Sequence, residues 1–342
     1  MSEAGRFFED FRIGETIRHA TPRTVTEGDR ALYQALYPTR FALASSAPFA
    51  AASGLSAWPV EELIGFHVAF GKTVPDVSLN AVANLGYAEL RFHRPVLPGD
   101  TISASSDVLG LRETSNRKAG VVWVRSTARN QRGETAIDWA RWVMVRKRDE
   151  GSAAPEPVVP QLAAAVAASD LIPPAGLDFT GYDFAAAGGA RRLSDYEIGE
   201  KIDHVDGATL EEAEHMMATR LWQNTAKVHF DATARPDGRR LIYGGHVISL
   251  ARALSFAGLA NAQPIAAING GSHVAPAHAG DTVHAWSEVL DKAETAAPGV
   301  GAIRLRLVAT KGRDATMTLR DAEGKYAAGV LLDLDLWAFH PL

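Results

Sequence analysis

The chain has 342 residues, of which 46% are hydrophobic and 22% are charged, which is enough apolar sequence for two ordinary cores and too much for a disordered chain. Its 35 Lys and Arg residues against 40 Asp and Glu residues give a net charge of −5, and because no Lys/Arg-rich block is present to neutralise phosphates we expect no nucleic-acid partner. Cysteine is absent, which excludes disulfides, thiolate catalysis and Cys-based metal sites and is compatible with a reducing compartment.

The amino-terminal segment predicts neither secretion nor a membrane anchor. Residues 1–10 are acidic and lack the apolar region of a secretory signal. The longest apolar stretch, residues 247–260, contains Arg252 and is too short to cross a bilayer. We therefore expect a soluble, cytoplasmic protein without a membrane partner.

An internal repeat runs through the chain. Three short motifs recur in the same order about 180 residues later: residues 11–19 recur at 196–204, residues 65–68 at 244–247, and residues 98–102 at 279–283. Their offsets of 185, 179 and 181 residues predict two copies of one domain, at 1–150 and 191–342. The segment 151–190 is rich in Ala and Pro and is predicted to be a linker. The alternative is one large domain with coincidental turn motifs.

Each copy is predicted to contain long antiparallel strands and one buried helix. Interleaved apolar and charged residues predict strands at 121–129, 136–147, 302–310 and 330–337. Thr209 and Glu212 fit a capping box that would start a short helix. From Gly245 the sequence is apolar nearly all round, so this helix must be buried, and wrapped antiparallel strands would bury it. Pro75 should end or kink the equivalent helix of the first copy.

A polar pair precedes the buried helix of the second copy. Asn224 and His229 are five residues apart. Imidazole titrates near neutral pH and suits a general base, whereas a carboxamide can orient a water molecule. At the first turn of the helix, Gly245 would let backbone N–H groups meet a developing oxyanion, with His246 beside it. The alternatives are a structural histidine and glycines that only turn the chain.

The first copy does not keep this polar pair. A shift of 185 residues places Thr39 at the position of Asn224 and Ala44 at the position of His229. Neither residue can handle a proton as an imidazole does. We therefore expect one site per chain, with the first copy shaping the space around it.

Together these motifs resemble the MaoC-like double hot-dog hydratases and dehydratases. In the commoner (R)-specific members the motif is Gly-Asp-x-Asn-Pro-Leu-His-x-Asp, with the catalytic Asp and His five apart. Residues 223–231 keep His229 and Asp231 but have Asn224 at the position of the acid, as a subset of these dehydratases does. Residues 70–80 and 244–256 carry the same resemblance. It implies an α+β fold of two fused repeats, each with a central helix wrapped by an antiparallel sheet.

The resemblance also implies a reaction. A hydro-lyase of this kind would reversibly hydrate mesaconyl-CoA to β-methylmalyl-CoA in carbon assimilation of the ethylmalonyl-CoA type, with no cofactor beyond the coenzyme A of the substrate. It would work as a homodimer. The open alternatives are another 3-hydroxyacyl thioester dehydratase, a thioesterase and a non-catalytic acyl-CoA-binding module.

Site roles follow from that reaction. His229 is the expected base and Asn224 orients the water, so the α-proton must come from His229 itself or from the water. Asp231 is a fallback acid or partner of the imidazole, although a cap or turn is the alternative. The free carboxylate of the substrate would need a cation or several donors. The candidate cations are Lys227, Lys72 and Arg40.

Overall fold

One ten-stranded antiparallel sheet dominates the computed structural model, which describes residues 5–312 and 317–342. The strands follow the order β1-β3-β4-β5-β2-β7-β10-β9-β8-β6 across the sheet. Their bounds are β1 (Thr16–Thr24), β2 (Ala81–Phe92), β3 (Thr101–Glu113), β4 (Ala119–Arg129), β5 (Thr135–Arg146), β6 (Lys201–Thr209), β7 (Ile265–His273), β8 (Thr282–Glu294), β9 (Val300–Lys311) and β10 (Val330–Pro341).

The two halves of the sheet repeat the same strand order and meet in its middle. The first five strands run β1-β3-β4-β5-β2 from one edge, and the last five run β6-β8-β9-β10-β7 from the other. Strands β2 and β7 join the halves, with Tyr87 opposite Gly271 and Leu90 opposite Ile268. This antiparallel pairing places the end of β7 beside Tyr87 of β2, where side chains of both halves can share a site.

Nine α-helices accompany the sheet in the described part of the chain. They are α1 (Glu27–Leu36), α2 (Ala42–Ser45), α3 (Ala47–Ala52), α4 (Glu62–Thr73), α5 (Phe184–Ala187), α6 (Glu212–Leu221), α7 (Lys227–Phe230), α8 (Gly244–Leu254) and α9 (Phe256–Leu259). Short 3-10 helices lie at Phe8–Asp10, Ala168–Asp170, Leu193–Asp195 and Ala232–Ala234, and one π-helical turn lies at Val74–Ser78. None of these helices has the length and hydropathy that a bilayer span requires.

The two central helices are buried as predicted. Every residue of α4 from Leu63 onward is buried, as is every residue of α8 from Gly245 onward. The α+β class is therefore confirmed. Helix α4 ends at Thr73, and the chain continues into the π-helical turn that contains Pro75, because proline cannot supply the N–H that the next helical turn needs.

One predicted helix start is wrong. Thr209 is the last residue of β6, where its hydroxyl lies 2.9 Å from that of Thr282. Helix α6 begins at Glu212, and Glu211 occupies the N-cap position without a capping side-chain hydrogen bond. The strand pairing therefore takes the hydroxyl that a capping box would have used.

The main hydrophobic core extends through both halves. Its large buried side chains include Phe66 and Trp139 from the first half and Trp222 and Leu254 from the second. A second cluster forms where residues of the segment 151–190, among them Phe179, pack on strands β9 and β10. That segment thus adheres to the sheet, and the exact division of the chain at residues 150 and 190 stays a prediction.

Candidate active site

An open cleft of about 420 Å³ is lined by residues from both halves of the chain. The first half contributes α4, the π-helical turn, β2 and β5, and the second contributes α7, the start of α8, β7 and β10. Its chemically relevant side chains are Tyr87, Arg141, Asn224, Lys227, His229, Tyr243 and His273. Asn224 and His229, which the sequence predicts as a pair, thus line the same cavity.

His229 is oriented by the backbone of the loop that leads into α8. Its Nδ1 lies 2.8 Å from the carbonyl oxygen of Leu241, so Nδ1 carries the hydrogen and donates a hydrogen bond to that carbonyl. The N–H of Leu241 in turn donates to the carbonyl of Val228 at 2.9 Å. Nε2 is left without a partner among the described residues and can accept a proton from the cleft. Loss of hydration lowers the pKa of His229, although the Leu241 hydrogen bond opposes that shift, so the imidazole is neutral at pH 7.

Asn224 is buried at the base of the cleft with a fixed amide orientation. Its side-chain oxygen Oδ1 accepts the N–H of Ala226 at 3.1 Å, and the backbone N–H of Asn224 donates to the carbonyl of Thr219 at 3.0 Å. The side chain of Asn224 lies beside the hydroxyl of Tyr243, where it opposes the burial that raises the pKa of that hydroxyl. The Tyr243 ring centroid is 5.6 Å from that of His229. One tyrosine thus connects the predicted base and the predicted carboxamide.

The glycine pair starts α8, and the two glycines have different surroundings. Gly244 lines the cleft, whereas Gly245 is buried beneath the rings of Tyr243 and His67. A Cβ at Gly245 would overlap both rings, and a Cβ at Gly244 would overlap the imidazole of His273. No backbone acceptor is found for the N–H of either glycine within the described chain, as expected for a first helical turn. These unpaired donors and the positive end of the helix dipole both favour the binding of an anion at this end of α8.

His246 lies behind the cleft and does not line it. Its Nδ1 is 2.6 Å from the hydroxyl of Tyr37, and burial lowers its pKa to about 4. His67, the repeat-related histidine, bonds Ser249 through Nε2 at 2.9 Å. Both histidines therefore hold α4, α8 and the C-terminal end of α1 together, so His246 has a packing role in place of the predicted one in the oxyanion site.

Asp231 caps a short helix. Its carboxylate accepts the N–H of Thr233 at 2.9 Å and the Thr233 hydroxyl at 2.7 Å, at the start of the 3-10 helix Ala232–Ala234. These bonds lower the pKa of Asp231. The residue is exposed and does not line the cleft, so the capping alternative describes its place in the structure.

The three candidate cations occupy different surroundings. Lys227 is exposed at the start of α7 and lines the cleft. Lys72 is buried and donates to the side-chain oxygen of Gln223. Arg40 is exposed away from the cleft, with its guanidinium carbon 4.3 Å from the centroid of the Phe256 ring.

Three residues of the cleft, Tyr87, Arg141 and His273, are not predicted from the sequence. The Tyr87 hydroxyl lies 2.9 Å from Nε2 of His273, and Arg141 occupies the position on β5 opposite Tyr87. The signal for Arg141 was available, because Trp139, Arg141 and Val143 alternate along one strand and share its buried face. The signal for His273 was weak, since a histidine at a strand end has many explanations.

The corresponding region of the first half is a separate, mainly apolar cleft. Ala44, in α2, lines that cleft together with Phe41 and Glu61. Helices α2 and α7 begin 185 residues apart (227 − 42), the offset by which Ala44 corresponds to His229. The first half therefore has a methyl group where the second has an imidazole. Within residues 5–312 and 317–342, no group of three or more His, Asp or Glu residues could hold a metal ion.

Comparisons with known proteins identify the family of the chain. The model of the family described as mesaconyl-CoA hydratase matches residues 1–319. A mesaconyl-CoA hydratase of Cereibacter sphaeroides is 67% identical over 340 residues, covering 99% of this chain and 99% of the relative. A β-methylmalyl-CoA dehydratase of Chloroflexus aurantiacus is 56% identical and covers 98% of this chain and 97% of its own.

Solved structures agree in fold. A MaoC-domain dehydratase of Chloroflexus aurantiacus superimposes with a TM-score of 0.96 at 56% identity, covering 98% of this chain and 97% of that one. A Mycobacterium tuberculosis protein described as a double hot-dog has a TM-score of 0.77 at 25% identity and covers 98% of each chain. The predicted double hot-dog architecture is thereby confirmed.

Proposed function

The chain belongs to the mesaconyl-CoA hydratase family, and from this premise we propose how its residues hydrate an enoyl thioester. It is a hydro-lyase that reversibly adds water to mesaconyl-CoA and forms β-methylmalyl-CoA. The thioester is on the carboxyl group next to the methyl-bearing carbon. Water adds to the other alkene carbon, which carries the free carboxylate, and a proton adds to the methyl-bearing carbon.

His229 takes the proton of the attacking water. Its Nδ1–H is committed to the carbonyl of Leu241, so the lone pair of Nε2 is directed at the cleft. As the water oxygen bonds to the alkene carbon, the π electrons move toward the thioester and form an enolate. The imidazolium of His229 then returns the proton to the methyl-bearing carbon, which leaves the base neutral for the next turnover.

Asn224 positions the water. Its side-chain oxygen accepts the N–H of Ala226, and its side chain lies beside the hydroxyl of Tyr243, so its amide nitrogen has a defined direction. A carboxamide cannot exchange protons with substrate, and its contribution is therefore orientation of the nucleophile.

The first turn of α8 stabilises the enolate oxygen. The N–H groups of Gly244 and Gly245 and the positive end of the helix dipole supply donors there. His273 stands against Gly244 and adds a neutral imidazole N–H, because burial lowers its pKa to about 4 and the Tyr87 hydroxyl can bond Nε2. A neutral imidazole is a suitable electrophile for a carbonyl oxygen.

This mechanism uses no metal, nicotinamide or flavin. We propose that the enzyme needs no cofactor beyond the coenzyme A that is part of its substrate. We further propose a cytoplasmic homodimer and a role in carbon assimilation of the ethylmalonyl-CoA type, because of the family resemblance. The division into repeats 1–150 and 191–342, with the catalytic site in the second, belongs to the same proposal.

The observation that carries the mechanism is the 2.8 Å contact between Nδ1 of His229 and the carbonyl of Leu241, at the wall of the shared cleft. The test is an ultraviolet assay of enoyl-thioester loss with mesaconyl-CoA, crotonyl-CoA and a long-chain enoyl-CoA, using wild type and His229→Ala. Mesaconyl-CoA should be the best substrate and the variant nearly inactive. Undiminished turnover by the variant would remove His229 from the mechanism, whereas a preference for crotonyl-CoA would change the substrate and leave the hydration chemistry in place.

A further inference from the structure

A guanidinium without a counter-ion lies in the wall of the catalytic cleft. Arg141 is fully buried on β5 and lines the cavity that also contains His229. Its Nη2 donates to the hydroxyl of Thr73 at 2.7 Å, but its Nε and Nη1 have no hydrogen-bond partner in the described chain. Two charged donors are thus left unsatisfied in a buried side chain that lines the cleft.

Within the described chain, no carboxylate is among the groups with a marked electrostatic effect on Arg141; these are the hydroxyls of Tyr87 and Tyr243, which are neutral at pH 7. Arg141 also lowers the pKa of His19, which is paired with Asp76. One face of the guanidinium is covered by the Phe70 ring, whose centroid is 4.3 Å from its central carbon. Burial lowers the pKa of Arg141 to about 10, so the side chain stays protonated at neutral pH.

Another buried cation of the same half shows what a compensated site looks like. Lys147 is also buried, and its Nζ lies 2.7 Å from the carboxylate of Glu113. Two backbone carbonyls, of Glu150 and Ser152, complete its hydrogen bonding. Since an isolated buried charge is costly unless it is paired, the unsatisfied state of Arg141 indicates an anionic partner that is not part of the chain.

The chemistry of the substrate supplies such a partner. The carbon that receives water also carries the free carboxylate, so the cation that binds this carboxylate must lie near the catalytic base. Arg141 and His229 are both neighbours of Tyr243. This tyrosine interacts electrostatically with the guanidinium of Arg141, and its ring centroid is 5.6 Å from that of His229. A guanidinium can also bind a carboxylate through two parallel N–H groups.

We propose that Arg141 binds the free carboxylate of the substrate through its unsatisfied guanidinium nitrogens and is the residue that selects a dicarboxylic enoyl thioester. This inference rests on the proposed function. It replaces the three cations considered from the sequence, because Lys227 is solvated, Lys72 already bonds Gln223, and Arg40 is outside the cleft. It also gives β5 of the non-catalytic half a direct part in specificity.

The test compares ligands that differ only in the carboxylate. Tiglyl-CoA has a methyl group where mesaconyl-CoA has the carboxylate, and the saturated pair methylsuccinyl-CoA and 2-methylbutyryl-CoA allows binding to be measured without turnover. Arg141→Met should lower kcat/KM for mesaconyl-CoA by roughly 100-fold or more, as expected for loss of one partner of a buried charge pair. Turnover of tiglyl-CoA, or of crotonyl-CoA where tiglyl-CoA is too slow, should change little.

Calorimetric titration gives the decisive readout. Wild type should bind methylsuccinyl-CoA more tightly than 2-methylbutyryl-CoA, and Arg141→Met should abolish that preference. Arg146→Met is the matched control, because Arg146 is an exposed cation of the same strand that also lines the cleft; its loss should leave the ratio of the two affinities unchanged. Arg141→Gln keeps a donor for Thr73 and provides the same comparison if the Met variant does not fold.

The outcomes separate this inference from the proposed function. An unchanged affinity ratio in folded Arg141→Met or Arg141→Gln would overturn the role of Arg141, even if wild type hydrates mesaconyl-CoA. Loss of the ratio in Lys227→Met in place of the Arg141 variants would do the same. If wild type failed to hydrate mesaconyl-CoA, the proposed function would fall, while loss of the binding preference in the Arg141 variants would still establish the carboxylate site.

Discussion

Gly71 of α4 lies so close to the carbonyl oxygen of Trp222 that a Cβ at position 71 would overlap that oxygen. This contact joins the central helix of the first half to the loop that carries Asn224 in the second. The backbone of that loop cannot be a flexible connection, because it is pressed against a buried helix.

We predict that Gly71→Ala lowers kcat by displacing Asn224 while the fold is retained. Overpacking of this kind costs about 1–3 kcal/mol of unfolding free energy, and a small displacement of an orienting group is expensive in rate. The measurement is kcat with mesaconyl-CoA, together with thermal unfolding. Gly65→Ala is the control on the same helix, because the atoms nearest to its Cβ would belong to the side chains of Val96 and Ile137 and not to the backbone. Equal loss of activity in both variants would mean that the effect is general destabilisation.

The pH dependence of the reaction should report a depressed histidine pKa. Because loss of hydration lowers the pKa of His229 below its ordinary value near 6.5, the neutral base persists as the pH falls below 6.5. The plot of kcat/KM against pH should therefore be level around neutrality and decline only on the acidic side of the ordinary value. The measurement needs buffers from acid to alkaline pH, with enzyme stability checked at each.

The control for that profile is a variant that releases the imidazole from its carbonyl. Leu241 binds His229 through its backbone carbonyl, so a change of side chain alone does not remove this bond. Leu241→Pro alters the loop instead, because it removes the backbone N–H that donates to the carbonyl of Val228. In this variant the acidic limb of the profile should move to lower pH, because the Leu241 hydrogen bond raises the pKa of His229, and kcat should fall. A wild-type limb above 6.5 would contradict the assignment of the limb to His229.

Much of the fold follows from the sequence, since the repeat and the two apolar helices are visible in it. The failure at Thr209 has a physical cause: a threonine before two glutamates serves equally well in a capping box or at a strand end, and only pairing with β8 decides between them. Asn224 and His229 were accessible because they are close in sequence. Arg141 and His273 reach the same cleft from distant strands, and their meeting depends on the β2–β7 pairing that no local pattern contains.

Asn224 should contribute to rate and little to binding. We predict that Asn224→Ala lowers kcat by about 100-fold, a loss in the range found for single positioned hydrogen-bonding groups, while the affinity for methylsuccinyl-CoA stays close to that of wild type. Asn224→Asp keeps an acceptor for the N–H of Ala226 and places the acid of the commoner family motif, so it should recover part of the activity. Full activity in Asn224→Ala would show that the water needs no carboxamide.

His273 should act as a neutral hydrogen-bond donor to the thioester oxygen. Its imidazole adjoins Gly244 at the start of α8, and its pKa of about 4 keeps it uncharged at neutral pH. We predict that His273→Ala lowers kcat by about 100-fold, as loss of one donor to a developing oxyanion does. His273→Asn, which retains an N–H near the position of Nδ1, should be less impaired, as measured with mesaconyl-CoA at saturating concentration.

Tyr87→Phe and the pH dependence of wild type together distinguish two roles of His273, hydrogen-bond donor to the thioester oxygen and source of the α-proton. The Tyr87 hydroxyl is 2.9 Å from Nε2 of His273, so it can fix the tautomer in which Nδ1 carries the hydrogen. Its loss leaves a neutral imidazole that can adopt either tautomer, and the rate should fall less than in His273→Ala. If His273 instead supplied the α-proton, protonation would be needed, and activity of wild type would decline as the pH rises above about 4. A level rate between that value and neutrality, combined with a larger loss in His273→Ala than in His273→Asn, would establish hydrogen bonding as its contribution.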